Sequence, residues 1–100
     1  YLAITFKFEM TINDEWMTNT QYEIIDALYF VIPFNELIAE LDLNERLLVA
    51  ELHKLHQKGW VRVYDAIDHE LEYHALVDDR FPKYQFLASK QGLIAHNSDG

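Results

Sequence analysis

The hundred residues predict a single α+β domain, and three observations carry that prediction. Apolar residues alternate strictly along residues 2–12, recur at three- and four-residue intervals along residues 20–58, and return in two short β-prone runs at 60–64 and 84–88. Half of the residues are hydrophobic and 14% are aromatic, which supplies one core, while the length leaves no room for a second domain.

Leu2, Ile4, Phe6, Phe8, Met10 and Ile12 share one face of a strand over 2–12 that Asn13-Asp14 ends. Thr20, with Glu23 three residues on, has the form of a capping box. It opens a first helix whose Ile24, Ile25, Leu28 and Val31 make an apolar stripe, stopped by Pro33. A second helix over 34–41 buries Phe34, Leu37, Ile38 and Leu41. Asp42-Leu43-Asn44 forms a turn, and Asn44 caps a third helix with Leu48, Leu52 and Leu55 on one stripe and Gly59 as its stop. Trp60 to Tyr64 then reads as a strand, Tyr84 to Ala88 as its returning partner, and Ser89 as the cap of a last helix through His96. Residues 65–83 are too long for a hairpin tip. Ile67, Leu71 and Ala75 have helical spacing whereas Leu71, Tyr73 and Ala75 alternate, so both conformations stay open there.

The passage from Leu43 in a turn, through Asn44 and the three leucines, to Lys58-Gly59-Trp60-Val61 entering a strand resembles the recognition helix and wing of a winged helix-turn-helix domain. Phe86 to Leu93 is similar to the strand-to-helix exit of such domains. The likeness covers about residues 20–96 and is nearest to small bacterial regulators of the MarR and PadR type. It implies a three-helix core over 20–58, a β-hairpin wing over 60–88 and a C-terminal helix over 89–96, with the strand over 2–12 as an addition. It also implies a dimer that reads operator DNA with the N-terminal half of the third helix. The outward positions there are Glu45, Arg46, Leu47, Val49, Ala50 and His53.

The charge distribution argues against that use. The net charge is -9, and residues 13–42 and 65–79 contain no lysine or arginine. Between those stretches, residues 43–64 carry an excess of cations, Arg46, Lys54, Lys58 and Arg62 against Glu45 and Glu51, so these four are the candidate DNA contacts. Leu47, Val49 and Ala50 have no hydrogen bond to offer a base. Their face is open to three readings: cover by the N-terminal strand or the insertion, an interface with a protein or a second copy, or DNA contact. The insertion brings Asp65, Asp68, Glu70 and Glu72 where a DNA-binding wing brings cations, either as a solvated face or, put to specific use, as bait for a basic partner or as a DNA-like surface.

Five histidines raise the question of a metal. His53 and His56 are three apart on a helix, and His69 and His74 lie among acids. The same residues read equally well as the polar end of a helix, and no metal or other cofactor is expected. Without cysteine there are neither disulfides nor thiolate sites. No glycine-rich phosphate loop or nucleophile motif is present, and the two serines sit at a helix cap and in a polar tail, so no enzymatic activity is expected. Tyr22, Tyr29, Phe30, Phe34 and Trp60 suit either a core or a small-molecule pocket. No apolar run reaches the roughly 20 residues that span a bilayer. The opening residues lack both a basic start and a continuous apolar stretch, so a cytoplasmic protein is expected. The leading expectation is a non-enzymatic interaction module that forms a homodimer or binds another protein. The alternative is a dimeric DNA-binding transcriptional regulator.

Overall fold

The computed structural model describes residues 17–66, 69–72 and 75–99, so the strand expected over 2–12 lies outside the described residues. The elements run α1 (Asn19–Ala27), β1 (Ile32–Pro33), α2 (Phe34–Leu41), α3 (Glu45–Gln57), β2 (Val61–Ala66), β3 (His69–Leu71), a 3₁₀ segment (Asp78–Lys83), β4 (Gln85–Ala88) and α4 (Lys90–Asp99). The strands form one antiparallel sheet in the order β1-β4-β2-β3. The chain is thus an α+β fold with helices packed on a small sheet. Among the described residues no helix is long and apolar enough to cross a membrane.

Local signals account for α2 and α3. Asp42, in the left-handed region at φ 54, closes α2, and the Asn44 side chain accepts from the backbone N–H groups of Arg46 and Leu47 at the start of α3. The end of α3 is a Schellman turn, in which Trp60 N–H bonds Leu55 C=O and Gly59 N–H bonds His56 C=O. Gly59 has φ +81, a region that disfavours any residue with a Cβ.

α1 begins and ends earlier than expected. Its capping box is Thr18 with Gln21, not Thr20 with Glu23: Gln21 N–H bonds Thr18 Oγ1 at 3.1 Å and Thr18 N–H bonds Gln21 Oε1 at 3.2 Å. The helix stops at Ala27 because the next residues are needed by the sheet. Leu28 C=O accepts from Ala88 N–H, and Pro33, expected as a helix breaker, lies in β1 paired with Gln85 of β4. Val31 consequently leaves the apolar stripe and is exposed, as are Tyr29 and Phe30.

β2 alternates as a half-buried strand must, with Val61 and Val63 inward and Arg62 outward. It pairs with β4 through Val61–Ala88 and Val63–Phe86, and with β3 through Val63–Leu71. β2 and β4 each begin one residue later than expected, and β2 extends to Ala66. The insertion is neither wholly helix nor wholly strand; it contributes β3 and the 3₁₀ segment.

The core joins Ile24, Ile25 and Leu28 of α1, Phe34 and Leu37 of α2, and Leu48, Leu52 and Leu55 of α3 to the inner face of the sheet. Phe81 of the 3₁₀ segment sits among them, 5.8 Å from Phe34 and 5.7 Å from Phe86 between ring centroids. One buried polar link crosses it. Gln21 Nε2 of α1 donates to Glu51 Oε1 of α3 at 3.1 Å, while Lys54 Nζ donates to Glu51 Oε2 at 3.3 Å. Gln21 therefore uses its amide oxygen to cap α1 and its amide nitrogen to bind α3.

α4 runs past His96 to Asp99. Ser89 Oγ accepts from Gly92 N–H and donates to Gly59 C=O, and Ser89 N–H bonds Trp60 C=O, so α4 starts on the turn that ends α3. Gly92 is required there, since a Cβ would stand 2.1 Å from the Trp60 carbonyl oxygen. At the far end the buried His96 ring stacks on Tyr22 of α1 at 4.0 Å, with Nδ1 3.1 Å from the Tyr29 hydroxyl and Nε2 3.4 Å from Asp26 Oδ1.

Candidate functional site

Opposite its core face, α3 presents Arg46, Val49, Ala50 and His53, spaced so that all four fall on one stripe. The 3₁₀ segment runs beside that stripe, and between them lies an open groove of about 680 Å³. Phe81 anchors the segment by filling the core from it. The Val77 N–H donates to the Tyr84 hydroxyl at 3.1 Å, and Tyr84 N–H bonds Phe81 C=O at 2.9 Å. A direct link spans the groove, with His53 Nε2 2.6 Å from Asp78 Oδ1. The His53 ring also lies 5.1 Å from that of Phe81.

The groove floor is apolar, made by Val49, Ala50 and Pro82 with the buried Phe81 behind them, and its rim is charged. Glu45, Asp78 and Asp79 place three carboxylates there against the guanidinium of Arg46. Val49 is half-buried and packs on the core, Ala50 is exposed, and Leu47 is 42% exposed. The described part of the insertion therefore borders the apolar face instead of closing over it. Cover by residues 2–12 lies outside the described residues.

Of the four candidate cations, only Arg46 lines the groove. Lys54 is held by Glu51, the carboxylate that also binds α1. Lys58 Nζ stands 4.7 Å from the centroid of the Trp60 ring. Arg62 makes a two-pronged ion pair with Glu70 of β3, Nε at 3.1 Å and Nη2 at 2.8 Å. That pair holds the Glu70 carboxyl below its ordinary range and raises the Arg62 guanidinium. Lys54 and Arg62 thus each meet a carboxylate, one of them supplied by the insertion.

The histidines also separate. His69 Nδ1 lies 2.5 Å from Asp65 Oδ1 across the β2–β3 turn, and His53 is bound to Asp78. His56 is half-buried and hydrogen-bonded to the Leu71 backbone; burial lowers its pKa, partly offset by that bond and by nearby Glu70. His74 lies outside the described residues. Among the described residues no three His, Asp or Glu side chains converge as metal ligands. The aromatic candidates line no common pocket: Phe34 is fully buried, Trp60 half-buried, Tyr22 stacked on His96, and Phe30 84% exposed.

Asp78, Asp79, Phe81 and Pro82 escape sequence reasoning as site residues. The signal available was an aromatic beside a proline, between Arg80 and Lys83, at the end of an insertion that is acidic up to Asp79, a point where the chain must return to the core. A second recess, between α1 and α2, is lined by Glu23, Asp26 and Glu40 with Tyr22, Ala27 and Leu41. No protein-family model, curated protein or solved structure matches the chain.

Proposed function

We propose that the chain is a non-enzymatic interaction module on a winged-helix scaffold, and that the outer groove of α3 contacts another protein. The scaffold reading is supported by the element order, in which a two-residue strand follows α1, α2 and α3 come next, and α3 turns through Gly59 into an antiparallel hairpin. One observation carries the functional reading: Asp78 and Asp79 flank the part of α3 that a DNA-binding relative would set in the major groove. A duplex approaching that face meets three carboxylates around the single guanidinium of Arg46, and phosphate contacts need cations. An apolar floor with a charged rim is instead the anatomy of a protein interface. Self-association has its own support in Phe30, 84% exposed beside Tyr29 and Val31, and in Ile94, 56% exposed on α4.

The alternative, a dimeric regulator, is favoured by the exposure of Arg46 and Ala50 at the N-terminal half of α3. Titration of a random-sequence duplex at low salt separates the two, repeated with Arg46, Lys54, Lys58 and Arg62 all replaced by alanine. The interaction module leaves the duplex unbound even where electrostatic attraction is least screened. A steep salt-dependent affinity that the fourfold variant loses would establish the regulator instead.

A further inference from the structure

We infer that the α3 groove takes a basic, apolar segment of a different protein: an extended or helical stretch with one large apolar side chain flanked by lysine or arginine. This rests on the protein-interaction reading above and names the partner's chemistry. The floor of Val49, Ala50 and Pro82, backed by the buried Phe81, gains nothing from a polar group and accepts a leucine- or phenylalanine-sized side chain. Around it Glu45, Asp78 and Asp79 outnumber Arg46; Glu45 and Arg46 offset each other on the α3 wall, so a partner's flanking cations meet opposite charge chiefly on the wall of Asp78 and Asp79. Phosphate-bearing ligands meet the same three carboxylates and are repelled. A second copy is disfavoured by long-range charge, since each chain carries -9. On the 3₁₀ side the segment is anchored by buried Phe81 and Asp78 is hydrogen-bonded to His53; a preformed rim lowers the ordering cost of binding.

The probe is a fluorescent dodecamer of alternating leucine and lysine, compared with a serine–lysine dodecamer of equal charge and a leucine–glutamate dodecamer. Binding is read by anisotropy at moderate salt. The leucine–lysine peptide is expected to bind about 10-fold more tightly than the serine–lysine one, and the leucine–glutamate peptide not at all. Asp78→Asn with Asp79→Asn should weaken it about 10-fold, whereas Glu23→Gln with Glu40→Gln, which removes equal charge from the other acidic recess, should change it less than about 2-fold. Ala50→Phe fills the groove at an exposed position and should abolish binding while leaving the thermal transition in place. Equal losses in the two double variants would reduce the effect to net charge and overturn the inference, as would full affinity in Ala50→Phe. If the peptides fail but sedimentation shows a dimer broken by Phe30→Ser, the inference falls and the protein-interaction reading survives. Tight duplex binding removes both.

Discussion

The two faces of α3 are built by different parts of the chain. On the inner face Leu48, Leu52 and Leu55 are fully buried, and their partners come from every layer of the core. On the outer face Arg46, Val49, Ala50 and His53 have one neighbouring element among the described residues that line the groove, the 3₁₀ segment about 25 residues downstream. The inner face carries stability, and we assign specificity to the outer face. The insertion thus does two things at once: Phe81 enters the core, while Asp78 and Asp79 set the charge beside the outer face of α3.

Substitutions on the two faces should separate by size. Leu52→Ala leaves a cavity in a close-packed core and should cost about 2–5 kcal/mol in urea unfolding, whereas Ala50→Ser on the outer face should stay within about 0.5 kcal/mol. Similar costs on both faces would mean that the groove is closed by packing in solution. Gly92→Ala should destabilise by about 1–3 kcal/mol, because its Cβ meets the Trp60 backbone at 2.1 Å. The sign makes this informative, since glycine to alanine inside a helix is ordinarily favourable; a stabilised variant would show that α4 does not dock on the α3–β2 turn.

Glu51→Ala leaves the buried Gln21 amide without its partner and should cost about 1–3 kcal/mol, with much of that recovered when Gln21 is changed to leucine as well. Strict additivity of the two changes would remove the α1–α3 link. Arg62→Ala breaks an exposed ion pair and a contact of the guanidinium with the Tyr64 ring, so its cost should be about 1 kcal/mol or less and should shrink in salt.

Acidification gives the finest test. His56 titrates below its ordinary 6.5 in the folded chain because burial penalises its charged form, so the unfolded chain binds that proton first. The melting temperature should therefore fall as pH drops through and below 6.5, and His56→Gln should flatten that segment. Glu70, held below its ordinary 4.5 by Arg62, adds a later loss as pH falls past 4.5, which Arg62→Ala should remove. A melting temperature that rises on acidification through 6.5 would contradict the placement of His56.

The inner face was legible because its signals are local. Asn44 and Gly59 punctuate α3 where the structure does, and the three leucines recur at helical spacing. α1 was misjudged because Thr20–Glu23 and Thr18–Gln21 are chemically equivalent caps; the choice between them follows from Gln21 bonding Glu51 thirty residues away. That link was foreshadowed, since Gln21 falls on the stripe of Ile24, Ile25 and Leu28, and Glu51 on that of Leu48, Leu52 and Leu55. The groove had no such local trace. Where the 3₁₀ segment lies depends on Phe81 entering the core and on His53 reaching Asp78, both long-range contacts that no periodicity encodes.

The most direct test of the outer-face assignment is a map of backbone amide shifts as the leucine–lysine dodecamer is titrated into the labelled chain. Perturbations confined to Val49, Ala50, His53 and residues 78–81 are the expected result. Perturbations centred on Phe30 and Ile94, or spread evenly over every acidic surface, would contradict a groove that reads basic, apolar segments.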